Sequence, residues 1–143
     1  MKTVNGYEVG INANLTGADL QDADLSNLNL LGISLRRTNL RGANLENTNL
    51  HSADLTEADL TEANLKNTNL MGSILKYTDL TGTDLRGANL IGINLYRAVL
   101  CMSKIDGVIL SGDEIDGYGH ILCTLTEEEW EMIKVRRGEV ENE

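Results

Sequence analysis

The sequence predicts an all-β solenoid, and three observations predict it. Read in fives from Ala13 to Gly112, the chain gives twenty consecutive pentapeptides without an insertion. The third position of each unit is leucine, from Leu15 to Leu110, with Ile105 the one exception. A longer correlation runs at multiples of twenty residues, where Leu30-Leu31-Gly32-Ile33, Leu70-Met71-Gly72-Ser73 and Leu90-Ile91-Gly92-Ile93 are alike.

A five-residue period suits neither common element. On an α-helix, steps of about 100° carry every fifth residue about 140° round the axis, so the leucines would spiral over all faces. On a flat strand, alternate leucines would point to opposite sides. The pattern makes a core if each pentapeptide is one short extended edge followed by a corner, with every central leucine pointing inward. The twenty-residue correlation then sets four edges per coil and five coils: 13–32, 33–52, 53–72, 73–92 and 93–112. At about 4.8 Å per stacked strand the column is roughly 24 Å long.

The elements follow in chain order. Residues 1–12 place Thr3-Val4 and Tyr7-Glu8-Val9 on either side of Asn5-Gly6, a pair suited to a tight hairpin turn, which is read as an N-terminal cap over the first coil. Within the repeat, the position two before leucine is Ala, Ser or Thr in sixteen of twenty units, as a narrow shared interior requires. The exceptions are Leu28, Ile33, Ile93 and Val108, whose larger side chains are expected to close the ends of the core. The position before leucine is Asp or Asn in fifteen units, short polar groups that bond to nearby backbone at corners. Glycine stands two after leucine in nine units, where corner geometry is tightest.

The units Ala18-Asp19-Leu20, Ala43-Asn44-Leu45, Ala58-Asp59-Leu60 and Ala63-Asn64-Leu65 resemble the A(D/N)LXX signature of the pentapeptide-repeat family, over 100 of 143 residues. The resemblance implies a right-handed quadrilateral β-helix in which the central leucine and the residue two before it point inward. That hand is also the one parallel crossovers favour.

Residues 113–143 leave the repeat and are read as a C-terminal cap segment with an acidic tail. Thr126 and Glu129 form a capping box, Leu125 can staple onto Trp130, and Glu127 to Glu129 lie at the positive end of a helix expected over about 127–137. Lys134, Arg136 and Arg137 lie near its negative end, before Gly138. Leu125, Trp130, Met132, Ile133 and Val135 are its candidate cap or dimer contacts.

The formal net charge of −10 has to be located before it is interpreted. Residues 1–12 sum to zero, residues 13–112 hold eleven acidic and eight basic side chains, and residues 113–143 hold ten acidic and three basic. Most of the acidity therefore lies in the tail. Two cysteines, Cys101 and Cys123, no signal-like segment near Met1 and no long apolar run give a cytoplasmic expectation, with no membrane partner.

Sorting outward residues by face isolates one candidate surface. The face of Leu30, Leu50, Leu70, Leu90 and Leu110 carries no Asp, Glu, Lys or Arg, whereas the other three are charged. Its outward files are Asn29, Asn49, Asn69, Asn89 and Ile109, and Leu31, His51, Met71, Ile91 and Ser111. Apolar residues in line on an uncharged face read as a contact surface, and stacked asparagines can bond along the column.

Chemistry has little support elsewhere. Asp19, Asp22, Asp59, Glu62 and Asp79 share the face of Leu20 to Leu100, interrupted by Arg41, and read as solvated charge. His51 and His120 are isolated, without metal-site spacing. Val99, Cys101, Met102 and Ile109 are apolar outward residues of the last coil and imply its burial beneath the tail; Cys101 and Cys123 read as a structural pair of thiols. No nucleophile and base, phosphate cradle or general-acid pair stands out, so no enzyme, cofactor, metal or small-molecule substrate is expected. The basic residues are scattered and lack interleaved aromatics, which excludes direct nucleic-acid binding.

Two functions follow. The first is a non-enzymatic scaffold presenting a flat face to a protein partner or a second copy. The second is implied by the resemblance: some family members are similar to duplex DNA in shape and charge and bind type II topoisomerases such as gyrase. Against it stand a mildly acidic, short column and Arg36, Arg37, Arg41, Lys66, Lys76, Arg86, Arg97 and Lys104.

Overall fold

A computed structural model describes residues 1–109 and, beyond them, Glu128 alone. The expected helix over 127–137, with Leu125, Trp130, Met132, Ile133 and Val135, and the positions of Leu110, Ser111, His120 and Cys123 lie outside the described residues, apart from Glu128, which is helical and exposed.

The chain opens with an antiparallel hairpin, β1 (Lys2–Val4) and β2 (Tyr7–Val9), paired from Lys2 opposite Val9 to Val4 opposite Tyr7. Asn5 and Gly6 both take positive φ, 49° and 84°, the pair of conformations that a two-residue turn matching strand twist demands. From Asn14 onward every edge forms parallel bridges to the edges twenty residues away. Four files result: Asn14 to Asn94, Asp19 to Val99, Asp24 to Lys104 and Asn29 to Ile109. The bonds between levels repeat as a set, illustrated by Leu40 N–H to Asp59 O at 2.8 Å and Asp59 N–H to Thr38 O at 3.0 Å.

Each corner is a β-turn closed by a bond from the residue three after leucine back to the leucine carbonyl, as from Ala43 N–H to Leu40 O at 3.0 Å. The third residue of the turn has positive φ at all nineteen corners from Gly17 to Gly107. Glycine fills eight of these, and the other eleven include Arg37, Glu57, Glu62, Tyr77, Arg97 and Met102. A left-handed conformation costs a non-glycine residue roughly 1–2 kcal/mol. The side chain before leucine offsets part of that cost by bracing the turn from outside: Asp59 Oδ1 accepts from Thr61 N–H at 2.9 Å, and Asn89 Oδ1 from Ile91 N–H at 3.1 Å.

Inside, the central leucines are buried throughout, and the residue two before each shares their interior. Threonines at that position send their hydroxyls to the carbonyl of a leucine one level earlier: Thr38 to Leu15 at 2.9 Å, Thr48 to Leu25 at 2.7 Å, Thr68 to Leu45 at 2.8 Å and Thr78 to Leu55 at 2.7 Å. Ser73 and Ser103 bond within their own level, to Leu70 and Leu100. The core is thus apolar at its centre with every such hydroxyl paired, as a dry interior requires. Ile33, Ile93 and Val108 are buried there, while Leu28 is only partly covered.

The hairpin sits over the first level and supplies partners for its outer backbone groups. Tyr7 Oη accepts from Asp19 N–H at 3.3 Å, Asn5 Nδ2 donates to Gln21 O at 3.4 Å, and Lys2 Nζ donates to Asp24 O at 3.4 Å. Residues 10–12 then begin the solenoid early. Ala13 N–H closes a corner onto Gly10 O, Asn12 has φ of 56°, and Asn12 N–H bonds Leu31 O at 2.9 Å, the same three features that define every later corner. Gly10 therefore stands in the place of a central leucine, twenty residues before Leu30, and Ile11 stands outward above Leu31.

Candidate functional site

The uncharged face is built from its two outward files. The asparagine file is a ladder: Asn49 Nδ2 donates to Asn29 Oδ1 at 2.9 Å, and Asn69 Nδ2 to Asn49 Oδ1 at 3.2 Å. Each Oδ1 also accepts its own corner N–H, as from His51 to Asn49 and from Met71 to Asn69, both at 3.1 Å. These amides are used on the protein itself, so the adjoining file carries the surface character.

That adjoining file reads Ile11, Leu31, His51, Met71 and Ile91. Ile11 and Leu31 are exposed, at 49% and 38%, and the other three are half-buried. Asn89 and Ile109 are half-buried in the asparagine file, joined there by a bridge. The structure thus brings all nine named residues of the face into two parallel rows. It adds Ile11, which the sequence alone left inside the cap because one corner without a leucine has no period to betray it.

The upper end of the face opens into an apolar pocket of about 250 Å³. Met1, Val9, Ile11, Leu28 and Leu30 wall it, with Gly10 and Asn29 contributing backbone and Lys2 lining one side.

The charged faces are largely self-neutralised. Arg36 pairs with Asp54 at 3.0 Å, Arg37 with Glu57 at 2.8 Å, and Arg86 grips Asp84 through two bonds of 2.7 and 2.9 Å. The Arg86 guanidinium holds the Asp84 carboxyl below the usual carboxylate range. Burial pushes the Asp54 carboxyl up, but the Thr56 hydroxyl and N–H and the Arg36 guanidinium outweigh it and leave it lowered. On the face of Leu20 to Leu100, Asp19, Asp59 and Asp79 each accept a corner N–H, from Gln21, Thr61 and Thr81. Asp22 and Glu62 occupy left-handed corners there. The acidic residues of that face therefore have structural employment.

One cluster was not read from the sequence. Tyr77 and Tyr96 meet edge to face, with ring centroids 5.7 Å apart, and Arg97 lies 5.7 Å from the Tyr96 centroid; Ile74 and both tyrosines are exposed. The signal was weak because Tyr77 is two after its leucine and Tyr96 one after, so a sort by position separates them. Cys101 is disulfide-bonded, so it is not the thiol expected. Among the described residues no group of His, Cys, Asp and Glu could hold a metal ion, and no helix is long and apolar enough to cross a membrane.

Comparison with known proteins places these features in a family. A family model described as pentapeptide repeats matches residues 13–52, 38–76 and 78–112, in eight copies. Among solved structures, the pentapeptide repeat protein Rfr23 of the cyanobacterium Cyanothece 51142 is 28% identical, with TM-score 0.60 over 70% of this chain and 89% of that one. A pentapeptide repeat protein from Nostoc PCC 7120 is 32% identical, with TM-score 0.56 over 69% of this chain and 81% of that one. HetL, a pentapeptide repeat protein involved in heterocyst differentiation regulation in Nostoc sp. strain PCC 7120, is 32% identical, with TM-score 0.51 over 69% of this chain and 49% of that one. A search of curated proteins finds no match. With its repeats matched from residue 13 to residue 112 and its edges stacked twenty residues apart, the chain belongs to the pentapeptide-repeat family, a scaffold of right-handed quadrilateral β-helices.

Proposed function

We propose that this protein is a non-enzymatic scaffold whose uncharged face docks a protein partner or a second copy of the chain. One observation carries the reading: on this face alone the polar side chains are consumed by a ladder, which leaves a straight apolar file from Ile11 to Ile91 beside it. A rigid flat surface with aligned apolar groups binds at small conformational cost, since nothing has to be ordered on docking. Five coils, closed by a helix over 127–137, complete the proposed architecture.

The double substitution Met71→Lys and Ile91→Lys tests the reading, with mass in solution and capture of partners from the native host as readouts. The expected result is loss of association with the thermal midpoint unchanged, because both side chains point out of the core. Association equal to the parent in both assays overturns it.

Imitation of DNA toward a type II topoisomerase is the alternative. The pairing of Arg36, Arg37 and Arg86 with acidic neighbours weighs against it, because the column then lacks a continuous run of unopposed negative charge. Clear inhibition in a gyrase supercoiling assay would reverse that ranking. For compartment, the reading from composition is cytoplasmic, while a disulfide at Cys101 favours an oxidising one. Alkylation of thiols in the native host before lysis decides between them.

A further inference from the structure

We propose that the pocket at the upper end of the uncharged face is a receptor for one leucine-sized apolar side chain of the docked partner. The proposal rests on that face being a contact surface and adds what the contact must contain. Its argument is one of register. Gly10 closes the same corner as the central leucines and lies in the file of Leu30, Leu50, Leu70 and Leu90, so the walls around it are those that each lower level presents to leucine. With glycine there, the level has walls and no filling.

The remaining observations fit an external side chain. Leu28, the one bulky residue two before a leucine that is only partly covered, lines the space instead of being sealed by a neighbour above it. The volume of about 250 Å³ exceeds the roughly 150 Å³ of an apolar cavity that accepts benzene. It falls below the roughly 300–1,000 Å³ of sites for drug-sized ligands, so it suits a single side chain and not a cofactor. Its mouth lies beside Ile11 and Asn29, the first members of the two files of the docking face, so a partner lying along the face reaches it without bending. Such a filled apolar pocket at the end of a flat interface is the usual form of an anchoring contact.

The glycine also supplies the test. Gly10 has an ordinary φ, and a β-carbon built on it would meet only Met1, at 3.2 Å from Cγ and 3.4 Å from Sδ, the movable part of a side chain that is 87% exposed. Gly10→Leu therefore fills the space from within. The probe is N-acetyl-leucine amide, titrated into the full chain while the NMR signals of Val9, Leu28 and Leu30 are followed, with N-acetyl-alanine amide as control. The expected result is a saturable shift at these residues with the leucine compound, weakened at least about tenfold for the alanine compound, and abolished by Gly10→Leu, which also melts higher. No saturable shift overturns the proposal, including the case in which residues 110–143 of the chain already fill the site. So does equal binding of the two amides, or binding that survives in Gly10→Leu. Concentration-dependent shifts at the same residues without any amide would make a second copy the occupant and overturn the assignment to a separate partner. The Met71→Lys and Ile91→Lys protein should bind the probe as the parent does, so failure of the docking face and failure of the pocket are read separately.

Discussion

A threonine hydroxyl inside this column has its partner fixed by the stacking, and the consequence differs from one threonine to the next. Thr68 donates to the Leu45 carbonyl, which also takes Thr48 N–H, whereas Thr48 donates to the Leu25 carbonyl, which takes no backbone N–H among the described residues. Thr68→Val should cost about 1 kcal/mol, and Thr48→Val about 1–3 kcal/mol, because only the second leaves a buried acceptor unpaired. Urea denaturation of the two variants checks the order. The corners give a second residue-level test. Gly42 has φ of 64°, and a β-carbon there would fall 2.3 Å from Asp22 Oδ1 of the level before. Gly42→Ala combines a left-handed penalty with that collision. In an Asp22→Gly background the collision is gone and the cost should fall to the roughly 1–2 kcal/mol of the conformation alone.

At the scale of elements, the hairpin is a lid whose side chains replace a missing coil. Tyr7→Phe removes the acceptor for Asp19 N–H while leaving the ring in place, and a loss of about 0.5–1.5 kcal/mol is expected on thermal or urea unfolding. An unchanged midpoint would mean that water serves that N–H equally well. The hairpin was legible from Asn5-Gly6 because both turn residues need positive φ and the sequence shows a pair that tolerates it. The edges were legible from Leu15 onward because burial at a fixed spacing writes itself as composition. Gly10 to Asn12 was not legible, since a corner is recognised in sequence by its leucine and this one has none. Nor were the corners of Arg37, Glu57 and Tyr77, where the stacked bonds above and below impose a conformation that no local preference requests. The face was legible by sorting at twenty; the pocket that ends it was not.

For the whole molecule, pH dependence follows from the carboxylates held below their ordinary value of 3.8 by hydrogen bonds and arginines, Asp54 and Asp84. A carboxyl whose folded-state pKa is depressed contributes stability that is fully present above its unfolded value and is lost as pH falls through the folded one. The urea midpoint should therefore hold level from neutrality to about pH 5 and decline below about pH 4, with a shallower decline in Arg86→Gln. A midpoint that stays flat to about pH 2 would show that these pairs do nothing for the fold. The stacking has a mechanical consequence as well. All bonds between levels run along the column axis, and each level touches only the ones twenty residues away. A pull along that axis loads the levels in series, like links of a chain, so the weakest alone sets the strength. With three hairpin side chains clasping the first level, the column should part from its far end, one turn at a time, giving a sawtooth of evenly spaced force peaks.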